Sequence, residues 1–166
     1  SSFGITLSGG EPLMQPAAAF ALLEEFGGRE GDTCIETCGF CSPEIFGELR
    51  RRCRFVYMDL KLADDEEHKK YTGRSNRPII ENLAQLRGSG ADYMLRVPLV
   101  PGITDTDENL RGLSRLAGSS PVELLEYNTL AGAKYEGVGR KYSLGKGRSR
   151  SAEEAAAFFE EPVIRR

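Results

Sequence analysis

The sequence predicts an α/β protein built on a parallel sheet, and three observations carry that expectation. Strand-like apolar runs recur near residues 3–8, 33–37, 54–60, 92–99 and 121–126. The segments between them have helical periodicity and helix start or stop residues, the alternation expected of βα repeats. Runs as apolar as Tyr93–Val100 fit strands covered on at least one face by helices.

Taken in order, the first strand is Phe3-Gly4-Ile5-Thr6-Leu7, followed at once by Ser8-Gly9-Gly10-Glu11-Pro12. A glycine pair at a strand end lets a ligand approach bare backbone, because neither residue has a Cβ and both tolerate positive φ. Glu11 carries the only side-chain charge of that pentapeptide, and the proline after it imposes an extended or turn geometry. Such a turn suits a small zwitterion whose ammonium group needs an anion and carbonyl acceptors. Pro16 opens a helix with Ala19, Leu22, Leu23 and Phe26 on one face, and Gly27-Gly28 ends it. Ser42-Pro43-Glu44 starts a second helix, with Ile45, Leu49 and Cys53 on one side. Pro78 opens a third, which carries Ile79, Leu83 and Leu86 ahead of Gly88. Asp105 and Glu108 have capping-box spacing before Leu110, Leu113 and Leu116, with Gly118 beyond, and an acidic-start helix is expected from about Ser151 to Phe159.

Five βα units fit either an open doubly wound sheet or an incomplete barrel, and periodicity does not separate the two. Polar residues favour the barrel-like curve, since each strand end carries distinctive chemistry: Glu11, Glu36, Asp59 with Lys61, Arg96, and Asn128. In a barrel, strand C-termini converge on one mouth.

At 166 residues the chain is long enough for one domain with a real core. A net charge of −3 argues against a nucleic-acid footprint. No stretch approaches the ~18 apolar residues of a membrane span, and no secretory leader is visible, so the expected location is cytoplasmic, with the four cysteines reduced. The chain opens almost inside a strand with no initiator methionine, as a piece of a longer polypeptide would. There is no internal repeat. The segment Gly132–Arg150 is glycine-rich and basic, a solvated loop or else a docking surface. The expected division is a barrel unit over 1–142 and a basic loop with a C-terminal helix over 143–166.

The strand-end motifs SGGEP (8–12), IETCG (35–39), MDLK (58–61), RVPLVPG (96–102) and EYN (126–128) together resemble the radical S-adenosylmethionine superfamily. Within it the sequence is most similar to the activating enzymes of glycyl radical enzymes, of the pyruvate formate-lyase activator type. That likeness extends through HKKYTGRSN (68–76), IIENL (79–83) and KYEGVGRKY (134–142). The resemblance implies a partial (β/α)6 barrel holding S-adenosylmethionine and a 4Fe–4S cluster, and reductive cleavage to a 5′-deoxyadenosyl radical that installs a glycyl radical on a partner enzyme. It also implies an electron donor such as flavodoxin or ferredoxin. Gly9, Gly10 and Glu11 match the segment that holds the methionine amino group. Lys61 fits the methionine carboxylate, Asp59 the ligand or a nearby monovalent cation, and Asn128 a position near the ribose. Glu36 stands where the family commonly has aspartate, and Arg96 opens the RxPLxPG strand. An Asp59–Lys61 ion pair and a structural salt bridge from Arg96 are the plain alternatives.

The family's CxxxCxxC loop would precede SGGEP, and no cysteine lies there. The isolated chain is therefore expected to be inactive, and its bare sheet edge to favour a dimer. Cys34, Cys38 and Cys41 have the same spacing but fall on and just after a strand, and free thiols account for them. His68, the only histidine, reads as a capping or surface residue. The remaining alternatives are a truncated barrel that binds ligand or partner without catalysis, and a radical enzyme of the same superfamily acting on a small molecule.

Overall fold

The computed structural model describes residues 4–27, 32–127, 147–160 and 163–165, the last three by backbone alone. Six strands form one parallel sheet in the order β1 to β6: Gly4–Leu7, Asp32–Thr37, Phe55–Asp59, Asp92–Leu99, Val122–Glu126 and Val163–Arg165. Among the described residues six α-helices accompany it: α1 (Pro16–Gly27), α2 (Pro43–Arg52), α3 (Asp65–Thr72), α4 (Arg77–Arg87), α5 (Asp107–Ala117) and α6 (Ala152–Ala156). The five expected strands are present, and β6 extends the sheet by one at its far side.

Strand order settles what periodicity left open. Every strand pairs with its sequence neighbour and the winding never reverses. Right-handed crossovers that always step in one direction place all helices on one face, whereas a doubly wound sheet needs a switch point. The arrangement is that of a partial barrel. On the helix-covered face Ile35, Val56, Met58, Leu95, Val97 and Leu124 are fully sealed, packed with Phe46 and Leu49 of α2, Leu83 and Leu86 of α4, and Leu110 and Leu113 of α5. Each such side chain contributes ~1.5–3 kcal/mol through burial.

Helix ends follow local chemistry. Ser42, Asp64 and Ser151 cap their helices by accepting a backbone N–H, and Ser151 with Glu154 completes a capping box. Two expectations need correction. The cap of α5 is Thr106, whose Oγ1 accepts from Asn109 N, while Asp105 turns to Gly102 N (2.7 Å) and Arg150 N (2.9 Å). Asp105 therefore ties the loop after β4 to residues 147–150 instead of starting a helix. On α1, Ala19 and Leu23 face the core but Leu22 is exposed.

Candidate functional site

In a parallel sheet, side chains of residues paired in register share a face and alternate along each strand. Register pairs Glu36 with Tyr57 and Asp59 with Arg96, and Arg96 with Glu123. Cys34, Glu36, Tyr57, Asp59, Arg96 and Glu123 thus line the face opposite the helices. The sequence reading of strand ends as polar and convergent holds for four neighbouring strands.

Arg96 is the hub. Its Nη1 donates to Glu36 Oε1 (2.8 Å) and its Nε to Asp59 Oδ1 (3.1 Å), while its guanidinium lies 5.1 Å from the centre of the Tyr57 ring. Ser8 Oγ donates to Glu36 Oε2 (2.5 Å), and Lys61 Nζ stands 3.4 Å from Asp59 Oδ2. An unbroken polar chain Ser8–Glu36–Arg96–Asp59–Lys61 therefore crosses the ends of β1, β2, β4 and β3. Its electrostatics are those of alternating charge: the bonds from Ser8 and Arg96 hold the Glu36 carboxyl below the usual carboxylate range. Burial opposes the charge on Arg96, but the bonds from its two carboxylates outweigh it and raise its pKa. Both plain alternatives, the Asp59–Lys61 pair and the Arg96 salt bridge, are real contacts. They leave the Lys61 ammonium part-exposed at the end of the chain.

Glu11 has a second arrangement. Its Oε1 accepts from Thr37 Oγ1 (2.6 Å) and Leu13 N (3.1 Å), and its Oε2 from Cys38 N (2.7 Å). It caps the short turn Pro12–Met14 and clips the end of β1 to the end of β2. The two glycines before it sit at φ +88° and +59°, and a Cβ on either would meet nothing within 4 Å. This is an open backbone cradle beside an anion. Burial and Glu11 push the Cys38 thiol beside this cradle up to about 11. Burial likewise carries Cys41 and Cys53 to about 11, and it raises Cys34.

The donor set of the chain and cradle suits a zwitterion such as S-adenosylmethionine: open backbone and carboxylates for an ammonium, Lys61 for a carboxylate. An iron–sulfur cluster is different. Among the described residues no three His, Cys, Asp or Glu side chains gather closely enough to hold a metal ion, so these residues offer a cluster no ligand set. Asn128 and the KYEGVGRKY segment lie outside the described residues.

Of the two roles the sequence suggests for His68, capping or surface, the structure keeps one that holds the helix end and excludes the surface. His68 is buried on α3, its Nδ1 2.7 Å from Arg74 O and 3.0 Å from Thr72 Oγ1, where it pins the turn between α3 and α4. Sequence reasoning missed Asn82. It is fully buried, and its Nδ2 donates to Gly39 O (2.8 Å) and Cys41 O (3.0 Å), fixing the loop whose Cys38 N–H serves Glu11. Its signal was an amide set within the apolar stripe Ile79, Leu83 and Leu86. Of the basic segment, Arg150 ion-pairs with Asp107 (2.5 Å). No described helix is long and apolar enough to cross a membrane.

Comparison with known proteins adds an independent line. Residues 3–113 match the Radical SAM superfamily. The chain is 42% identical over 150 residues to the isethionate sulfite-lyase activating enzyme of Oleidesulfovibrio alaskensis, across 88% of this chain and 48% of that protein. It is 36% identical over 149 residues to the (2S)-3-sulfopropanediol sulfolyase activating enzyme of Bilophila wadsworthia, across 87% of this chain and 49% of that protein. The chain spans about half the length of these curated relatives. A domain of pyruvate-formate lyase-activating enzyme from Bacteroides vulgatus shares its fold, with a TM-score of 0.69 at 23% identity, covering 87% of this chain and 99% of that one.

Proposed function

The chain belongs to the radical SAM superfamily, and on that premise we propose that it is part of an activating enzyme that installs a glycyl radical on a partner lyase. The observation that carries the reading is the polar chain from Ser8 to Lys61 beside the open Gly9-Gly10 cradle. Lys61 receives the methionine carboxylate of S-adenosylmethionine. The ammonium meets the Gly9 and Gly10 backbone and Glu11, whose three donors leave one of roughly four lone-pair positions free. Glu36, Asp59 and Arg96 form the charged floor beneath the ligand, and Asn128 meets the ribose. When bound together with a reduced 4Fe–4S cluster, S-adenosylmethionine supplies one-electron hydrogen-abstraction chemistry. The chain's own residues bind, orient and exclude water.

The names of the 42% and 36% relatives, which describe activators of a sulfite-lyase and a sulfolyase, support a lyase as partner. The reading extends to a flavodoxin or ferredoxin as electron donor, a reducing cytoplasmic setting in keeping with four free cysteines, and association along the β1 edge. The reading takes α6 and β6 into the barrel with the rest, since β6 pairs with β5 and Ala152 and Ala155 lie in the shared core.

Calorimetry of the chain with S-adenosylmethionine tests the binding half. Lys61→Ala is expected to weaken binding by at least about tenfold, as loss of a charge-assisted contact should; affinity unchanged by that substitution would remove the assignment. For the activity, the full-length protein, reconstituted anaerobically with iron and sulfide and reduced, should raise a glycyl radical signal by electron paramagnetic resonance in an isethionate sulfite-lyase or a sulfopropanediol sulfolyase. A silent spectrum from both, alongside intact cofactor cleavage, would point instead to a small-molecule substrate.

A further inference from the structure

Resting on the cofactor reading above, we infer that Asn109 and Asn76 are positioning residues that set Lys61 at the mouth of the site. The stretch Lys61-Leu62-Ala63 follows β3 and belongs to no helix or strand, so its backbone polar groups need partners from elsewhere. Two buried side-chain amides supply them. Asn109 on α5 donates through Nδ2 to Lys61 O (3.0 Å) and Thr104 O (2.8 Å), and its Oδ1 accepts from Ala63 N (2.9 Å). Asn76 donates through Nδ2 to Leu62 O (3.1 Å) and Ala63 O (2.9 Å). All three carbonyls of the stretch, and one of its amides, thus end on two asparagines.

The residue type is dictated by this task. The Asn109 position needs two donors and an acceptor on a short arm; aspartate lacks the donors, and leucine would leave buried carbonyls unpaired. Asn76 stands at the N-cap of α4, where asparagine ordinarily accepts a helix N–H, yet its side chain makes no capping bond. The side chain is committed to the Lys61–Ala63 stretch instead. A third observation comes from Gly112, close to one turn beyond Asn109 on α5: a Cβ there would lie 2.6 Å from Ala63 Cβ. The helix therefore presses directly on the stretch, and glycine permits the approach. Asn109 is itself held, its N–H donating to Thr106 Oγ1. Asn109 thus holds the Lys61 carbonyl and Asn76 the two that follow it, so that the side-chain torsions are what bring Nζ toward Asp59 and toward a ligand carboxylate.

The test compares the parent chain with Asn109→Leu, which removes the clasp, and Gly112→Ala, which displaces the stretch while adding helix propensity and so keeps α5 folded. Two readouts need no ligand. Hydrogen exchange at the Ala63 amide is expected to speed by at least about tenfold while Ile35 and Leu95 keep their rates. Acetylation of Lys61, scored by mass spectrometry against Lys69 and Lys70, is expected to rise. With S-adenosylmethionine, both variants are expected to bind about ten- to a hundredfold more weakly. The same substitutions placed in a Lys61→Met background should cost little more. Unchanged Lys61 labelling, or an equal loss of affinity with Lys61 already removed, would overturn the inference. A parent chain that binds no S-adenosylmethionine would overturn the cofactor reading and the ligand half of this one, with labelling and exchange still deciding whether the asparagines set Lys61.

Discussion

Leu95 and Arg96 are neighbours on β4, but the two faces of the sheet they enter are held together by different forces. Leu95 is sealed among leucines and phenylalanine under the helices. Arg96 keeps some contact with solvent and bonds to carboxylates from two other strands. The helix-covered face gains its stability from apolar burial, which is non-directional and tolerates substitutions of similar volume. The opposite face is an alternating-charge chain whose members must each keep a partner, and such a network adds little net stability. The difference teaches that stability and ligand chemistry in this sheet are carried by alternate residues of the same strands.

The sharpest test of that contrast truncates the two neighbours separately. Leu95→Ala is expected to lower unfolding free energy by about 2–5 kcal/mol, through lost transfer energy and the cavity left behind, with the urea midpoint as the measure. Gly39→Ala should follow at about 1–3 kcal/mol, because φ there is +70° and the new Cβ would come within 2.5 Å of the Met58 methyl. Arg96→Met should cost only about 1–2 kcal/mol, less than for a fully buried pair because Glu36 and Asp59 keep contact with water. It should nonetheless weaken S-adenosylmethionine binding at least as much as Lys61→Ala does. An Arg96→Met loss as large as that of Leu95→Ala would erase the distinction between the faces.

The smallest expected effects are in pH dependence, and they differ in sign between the Glu36 carboxylate and the thiols. Glu36 has a folded pKa below its ordinary value. Its contribution is therefore present above the normal carboxylate range and lost as pH falls through the folded pKa; Glu36→Gln should flatten that acid limb. Cys38, Cys41 and Cys53 move the other way, from 9.0 to about 11. The unfolded chain ionises them first, so stability holds below about pH 9 and falls between 9 and 11. Melting temperatures across both limits, with Cys53→Ala as control, measure each arm.

Much of this was legible in the residues. Alternating βα signals gave five strands near their observed places, and SGGEP, IETCG, MDLK and RVPLVPG pointed to the residues that meet at the strand ends. His68, Asn76, Asn82 and Asn109 were not legible as buried groups. A polar side chain between apolar ones looks the same in sequence whether it faces water or a loop carbonyl from a distant part of the chain. Asp105 misled for a related reason: its spacing to Glu108 suits a capping box, but Arg150, 45 positions later, competes for it.

The amino-acid order by itself determined local matters: which segments extend, which coil, where glycine must take positive φ, and which charges stand at strand ends. Those follow from short-range sterics and periodicity. Only the tertiary structure decided that the winding never reverses, that Arg96 joins Glu36 to Asp59, and that two asparagines hold the backbone from Lys61 to Ala63. Each of these depends on groups far apart in sequence meeting within a few ångströms, and that proximity is fixed by how the sheet and helices pack.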